Sequence, residues 1–326
     1  MLYPIKFKSI YKEKIWGGEK LRRFFGKKDA NSPKTGESWE ISSVDGNVSI
    51  VANGFLKGKT LSEILEIFQA DLLGEKKYRK FGTNFPLLIK LIDASDDLSV
   101  QVHPNDELAV ERHQSFGKTE MWYVVQADID AQLISGFKPG IDREKYTNAV
   151  ESNDILSILN KETVREGDVF FIPAGRVHAI CKGICLAEIQ QTSDITYRIF
   201  DYNRLDNKGK ERELHLELAV DAINFESNGL AKTMYSKISG QSAQIISCPY
   251  FTANIIEFDT IFEKNYANLD SFVIFMCTSG CFTIKFPGSE DTFIATGETV
   301  LLPAEIVDII FISEKKCTVL EIYIEE

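Results

Sequence analysis

Histidine is scarce in this chain: 326 residues contain four, His103, His113, His178 and His215, and none lies further along. Any metal centre or imidazole catalyst must come from a set small enough to weigh residue by residue. No apolar run reaches the roughly 20 residues a membrane helix needs, so no spanning segment is expected. The opening Met1-Leu2-Tyr3-Pro4-Ile5-Lys6 lacks the apolar centre of a signal peptide. The six cysteines include no Cys-x-x-Cys pair, since Cys181/Cys185 and Cys277/Cys281 are spaced too widely. They read as reduced core thiols of a cytoplasmic protein. Surplus positive charge is missing too. With 37 basic against 48 acidic residues the net charge is −11, which argues against nucleic acid or an anionic membrane as the main partner. A locally positive pocket for a small anion remains compatible with that balance.

What is present is ordinary soluble-protein composition, 44% apolar and 26% charged, in a chain long enough for two domains. Strand signals dominate, at residues 39–44, 86–93, 98–103, 121–126, 169–172, 184–190 and 195–200, and they become nearly continuous beyond residue 240. Helical patterns are fewer: residues 61–73, 107–114, 143–159 in two pieces, and 213–222. Short strands divided by turn residues predict a mainly β protein built as sandwiches or barrels.

The most informative stretch is Gly167-Asp168-Val169-Phe170-Phe171-Ile172-Pro173-Ala174-Gly175-Arg176-Val177-His178. An apolar strand, a Pro-Ala-Gly turn and a histidine on the following strand aim an imidazole into the mouth of a barrel. A related run, Gly297-Glu298-Thr299-Val300-Leu301-Leu302-Pro303-Ala304-Glu305-Ile306-Val307-Asp308, repeats its glycine, proline and alanine spacing. The chain thus reads as two related β-barrels, with residues 1–240 as the first unit and its helical insertions, and 241–326 as the second. Asp308 stands where His178 stood, so only the first barrel is expected to hold metal.

Gln101-Val102-His103 places two side chains at i and i+2, on one face of a strand, and Pro104-Asn105-Asp106 then supplies a turn and a helix cap. His113 and His215 lie in polar, helix-like surroundings and read as packing or surface residues. His103 and His178 remain, and Glu120, entering a strand, is the natural carboxylate to join them. Two histidines and a carboxylate with an open position suit catalytic zinc and also non-haem iron. Gln101 can add a neutral oxygen from the His103 face.

Larger motifs carry a resemblance. Ser99-Val100-Gln101-Val102-His103-Pro104-Asn105-Asp106, then Gly117-Lys118-Thr119-Glu120-Met121-Trp122-Tyr123, then the Gly167–His178 run, resemble type I mannose-6-phosphate isomerase. Trp16-Gly17-Gly18, Gly36-Glu37-Ser38-Trp39-Glu40 and Gln190-Gln191-Thr192-Ser193-Asp194-Ile195-Thr196-Tyr197-Arg198 agree with it. The likeness is to the short bacterial form, because the large helical insertion of long forms is absent. It implies a fold of two cupin barrels (jelly rolls) and one Zn2+ per chain, ligated through Gln101, His103, Glu120 and His178. It also implies an active-site arginine at Arg198 and a lysine at Lys118. Thr119 replaces the proline that many long forms carry between that lysine and the glutamate, leaving both chemical groups in place.

The implied reaction interconverts mannose 6-phosphate and fructose 6-phosphate through an enediol, moving a proton between C1 and C2. Lys118 is the first choice of proton shuttle, Asp194 an alternative acid–base group, and Arg198 stabilises charge or orients substrate. Ser99, on the Gln101 face, is the expected phosphate contact. Gly54-Phe55-Leu56-Lys57-Gly58-Lys59-Thr60 is one residue short of a P-loop and reads as a turn and helix start. Two other readings are a non-catalytic sugar-phosphate-binding cupin and an iron-dependent cupin oxygenase. The presence of both Lys118 and Arg198 argues against the first, and Gln101 as a fourth ligand against the second.

Overall fold

Along the strand Glu120–Ala127 the side chains alternate between two interiors: Trp122 and Val124 enter one core, while Met121, Tyr123 and Val125 enter another. That period-two division recurs on neighbouring strands and sets the layer order. The structure, a computed structural model, describes residues 1–205, 209–226, 232–288 and 290–325. Among them four antiparallel sheets form. A seven-stranded sheet runs Lys232–Thr233, Val169–Ile172, Glu120–Ala127, Ile184–Gln191, Leu87–Ala94, Thr35–Ile41, Ile10–Gly18. Facing it is a five-stranded sheet of Tyr197–Phe200, Val100–Val102, His178–Ile180, Gln132–Phe137 and Leu159–Thr163.

A six-stranded sheet faces a four-stranded one across a second core of phenylalanines, including Phe275, Phe282 and Phe311. The two larger sheets turn their remaining faces toward each other, and Ile89, Met121, Ile189, Ile274 and Leu320 meet there with the helix Leu61–Leu73. The strand Ile5–Lys6 pairs with Thr299–Leu302, so the start of the chain is an edge of the six-stranded sheet.

Helix Leu61–Leu73 spans the expected residues, and Thr60 and Glu63 form a reciprocal capping box at its start. The Gly54–Thr60 run is therefore the turn and helix start anticipated. Asn105 caps the helix Asp106–His113 by accepting from the Leu108 N–H at 3.0 Å. The pattern at 213–222 yields a shorter helix, Leu216–Ala222. Helix Glu75–Phe81 gave no signal, because its stabiliser is distant: the Asp270 carboxylate accepts from the Glu75 and Lys76 N–H groups.

The two repeats occupy matching places, with Ile172 opposite Glu120 and Leu302 opposite Val273. They diverge after their prolines. Gly175 has φ +86°, whereas Glu305 is not among the positive-φ residues, so the glycine-only conformation is absent from the second copy. His178 is fully buried, yet Asp308 is exposed and accepts from Asn265 Nδ2 at 2.6 Å, leaving Ile309 and Phe311 to enter the core. The second copy thus lost the inward direction at this position as well as the imidazole.

Candidate active site

Register brings the site together. On the five-stranded sheet Gln101 lies opposite Arg198 on one side and His178 on the other, so the three share a row. Each points inward because its neighbours, Val100, Val102, Ala179, Tyr197 and Ile199, take the opposite face. Across the core, Glu120 stands on the same face of its strand as Trp122. His103 follows immediately after the strand Val100–Val102.

His103, Glu120 and His178 are all buried, with ligand atoms within 4.8 Å of one another. The Glu120 oxygens divide between the imidazoles: Oε1 is 3.5 Å from His178 Nε2, and Oε2 is 3.5 Å from His103 Nε2. His103 Nδ1 donates to the Ile195 carbonyl at 2.9 Å, and His178 Nδ1 donates to the Arg176 carbonyl at 2.8 Å. With those protons fixed, both Nε2 lone pairs face Glu120, the tautomer a metal ligand needs. Burial, helped by Lys118, holds both imidazoles neutral: His103 titrates well below its usual range, and His178 is pushed down to about 3. Glu120 moves the other way, raised by burial and by the nearby Glu188 carboxylate.

The donor set fits a divalent cation. Glu120 Oε1 is buried and makes no hydrogen bond, an acceptor with no donor to satisfy it. Lys118 Nζ donates to Glu120 Oε2 and His103 Nε2, both at 2.8 Å. The Gln101 amide lies 3.3 Å from His178 Nε2, and the Trp122 ring stands edge-on to that imidazole.

Beyond this cluster a cleft of about 210 Å³ opens between the sheets, and Ser99, Gln101, Lys118, Asp194 and Arg198 all line it. Ser99 is buried on its wall, whereas Asp194 is exposed. Arg198 is held from behind, its Nη1 donating to the Glu213 carbonyl at 2.7 Å and its backbone N–H to His215 Nδ1 at 3.1 Å. The two other histidines pack away from the cluster. His215 braces Arg198, and His113 Nε2 meets the Tyr197 hydroxyl at 2.8 Å.

Several charged residues of the cleft were not singled out in the sequence. Lys90 Nζ donates to Glu188 Oε1 at 2.9 Å and Gln190 Oε1 at 2.7 Å, and Trp122 Nε1 donates to Glu188 Oε2 at 3.0 Å. Burial raises the Glu188 carboxyl, but Lys90 and Lys118 outweigh it and hold the group low. Burial likewise raises Glu37, and Lys90 with Lys14 pulls it back below its ordinary value. Lys90 and Glu188 did carry a signal: each is a charge set directly between apolar neighbours inside a strand, Ile89 and Leu91 for the one, Ala187 and Ile189 for the other. Arg212 joins the cleft from a loop with no such mark.

Comparison with known proteins accords with this geometry. Residues 5–125 match the model of the phosphomannose isomerase type I catalytic domain. A mannose-6-phosphate isomerase of Streptococcus mutans is 40% identical over 253 residues, 77% of this chain and 78% of that protein. The chain belongs to the type I phosphomannose isomerase family. A putative mannose-6-phosphate isomerase of Bacillus subtilis, YvyI, is 35% identical over 97% of this chain and 98% of its own length. The crystal structure of mannose 6-phosphate isomerase from Bacillus subtilis superimposes with a TM-score of 0.88 at 33% identity, covering 98% of this chain and 99% of that one. A putative mannosephosphate isomerase from Archaeoglobus fulgidus shares the fold at a TM-score of 0.79 and 22% identity, covering 100% of this chain and 99% of that one.

Proposed function

We propose that this chain interconverts mannose 6-phosphate and fructose 6-phosphate, with one zinc ion held by Gln101, His103, Glu120 and His178. The observation that carries this reading is the buried His103–Glu120–His178 cluster, its lone pairs converging beside Lys118 at the head of a cleft, in a chain of the type I family. In the same reading the facing sheets are two cupin-type jelly rolls, residues 1–240 forming the catalytic unit and 241–326 a metal-free one. The substrate is a small sugar phosphate, and the enzyme works in the cytoplasm.

Bound zinc would supply positive charge against the C1 and C2 oxygens, easing formation of the enediol. The chain's own groups do the rest. Lys118, within hydrogen-bond reach of two ligand atoms, is placed to hold or move a proton at the C1–C2 edge, and the exposed Asp194 is the alternative. Arg198 presents its guanidinium across the strand pair from Gln101, where it orients oxygens of the sugar phosphate. Ser99 offers a hydroxyl to the phosphate from the buried wall.

Elemental analysis of purified protein followed by a coupled assay on mannose 6-phosphate tests the whole reading. Zinc with isomerisation is expected. Iron with oxygen consumption would overturn it in favour of a cupin oxygenase, and tight sugar-phosphate binding without turnover in favour of a sensor.

A further inference from the structure

The three backbone N–H groups around Lys118 are each tied down. Gly117 N–H donates to Asp106 Oδ1 at 2.8 Å, Lys118 N–H to the Pro104 carbonyl at 3.1 Å, and Thr119 N–H to Gln191 Oε1 at 2.9 Å. The Gln191 amide in turn donates from Nε2 to that same Asp106 Oδ1, at 2.9 Å. The anchors on either side of Lys118 therefore end on one carboxylate, the Gly117 N–H directly and the Thr119 N–H through the Gln191 amide. Asp106 sits so close that a Cβ on Gly117 would lie 2.6 Å from its backbone nitrogen. The remaining oxygen, Asp106 Oδ2, accepts from the Tyr250 hydroxyl at 2.8 Å. Tyr250 comes from the other pair of sheets, on the turn between the strands Ser242–Ser247 and Thr252–Phe258. Burial, together with the Asp106 bond, pushes its phenol up to about 12, so it stays a donor.

We infer that Tyr250 is a positioning residue for the reaction, acting through Asp106 to fix the segment that presents Lys118 to the substrate and Glu120 to the metal. This rests on the isomerase assignment above. Without the phenol, Asp106 loses the donor that sets its rotation, and the 117–119 backbone gains freedom while His103 and His178 keep their own carbonyl anchors. A small displacement of a proton-transfer group lowers turnover much more than it lowers binding.

The test uses the zinc-loaded chain carrying Tyr250→Phe, which removes one oxygen. Zinc content is expected to match wild type and KM to stay within about twofold, while kcat falls about five- to tenfold, the scale of one ordinary hydrogen bond. Amide exchange at Gly117 should quicken. Tyr3→Phe is the control: it removes a tyrosine hydroxyl bonded to the Asn53 carbonyl and to Leu56 N–H, away from the cleft, and should leave kcat unchanged. In Asp106→Ala, which leaves the phenol no side chain to reach, adding Tyr250→Phe should cost no further activity. Wild-type kcat with unaltered Gly117 exchange in Tyr250→Phe would overturn the inference. So would a fall in kcat matched by a proportional loss of zinc, which would mean a general loosening. If wild type itself fails to turn over mannose 6-phosphate, the functional assignment falls, and exchange at Gly117 and Thr119 still decides whether Tyr250 holds this segment.

Discussion

Glu188 and Glu321 occupy matching positions in the two pairs of sheets. Glu188 lies between Lys90 and Trp122 on its flanking strands, and Glu321 between Asn254 and Phe275 on the corresponding ones. Both are buried, and Glu188 also lines the cleft, beside Gln101, Lys118 and Arg198. The place of Glu120 is taken by Val273 in the second pair. A shared framework thus carries a central carboxylate in both copies and the His103–Glu120–His178 cluster in one.

Metal retention should separate the four histidines. His103→Ala and His178→Ala are each expected to lose zinc, measured as metal per chain after gel filtration. His113→Ala should keep both zinc and turnover. His215→Ala should keep zinc but slow catalysis, because it removes the acceptor behind Arg198. Equal metal loss in all four would remove the assigned ligands.

Arg198→Lys should fold and bind zinc while turning over more slowly, by about tenfold or more. An ammonium cannot reproduce the planar fork of a guanidinium on substrate oxygens. Steady-state kinetics alongside zinc analysis would check this, and near wild-type turnover would make Arg198 a structural residue.

Lys90→Met should destabilise the fold by about 3–5 kcal/mol, because it leaves Glu188 buried without its cation. Pairing it with Glu188→Leu should restore most of that loss. Urea denaturation of the two variants measures both effects.

Acid stability should depend on Glu321. Burial raises its carboxyl, but Lys264, Asn254, Ser242 and Tyr266 together outweigh that and hold it below its ordinary value of 4.5. A carboxyl depressed in the folded state contributes stability that is complete above its unfolded pKa and disappears as pH falls through the folded one. Stability should therefore decline from about pH 4.5 downward. Glu321→Gln should flatten that decline while lowering stability at neutral pH, as pH-dependent denaturation would reveal.

Asp308→Ala should leave zinc at one per chain and activity unchanged, since Asp308 points to solvent and meets Asn265. Two zinc ions per chain, falling to one in this variant, would contradict that.

The metal cluster was legible because its members stand at strand ends beside turns, where spacing and turn chemistry show in the sequence. The direction of Asp308 was not, because one residue of slip after Pro303 reverses the facing of everything that follows, and the repeat's spacing carries no trace of it. Lys90 and Glu188 lay hidden in strands that read as core, where a charge is visible but its partner on another strand is not. Lys14, Glu37 and Arg212 come to the cleft from separate strands and a loop, which only the sheet register brings together. Helix Glu75–Phe81 depends on Asp270, a cap supplied from far along the chain.

The pairing of Ile5–Lys6 with Thr299–Leu302 has a consequence for folding. Ile5 and Leu301 stand far apart in the chain, so this edge strand must wait for a very distant partner before it finds its place in a sheet. Until then its apolar side chains, and the face of the seven-stranded sheet that packs on the six-stranded one, have no partner. This long-range pairing should therefore be among the slowest steps of folding, and the apolar faces it covers are open to aggregation until it forms.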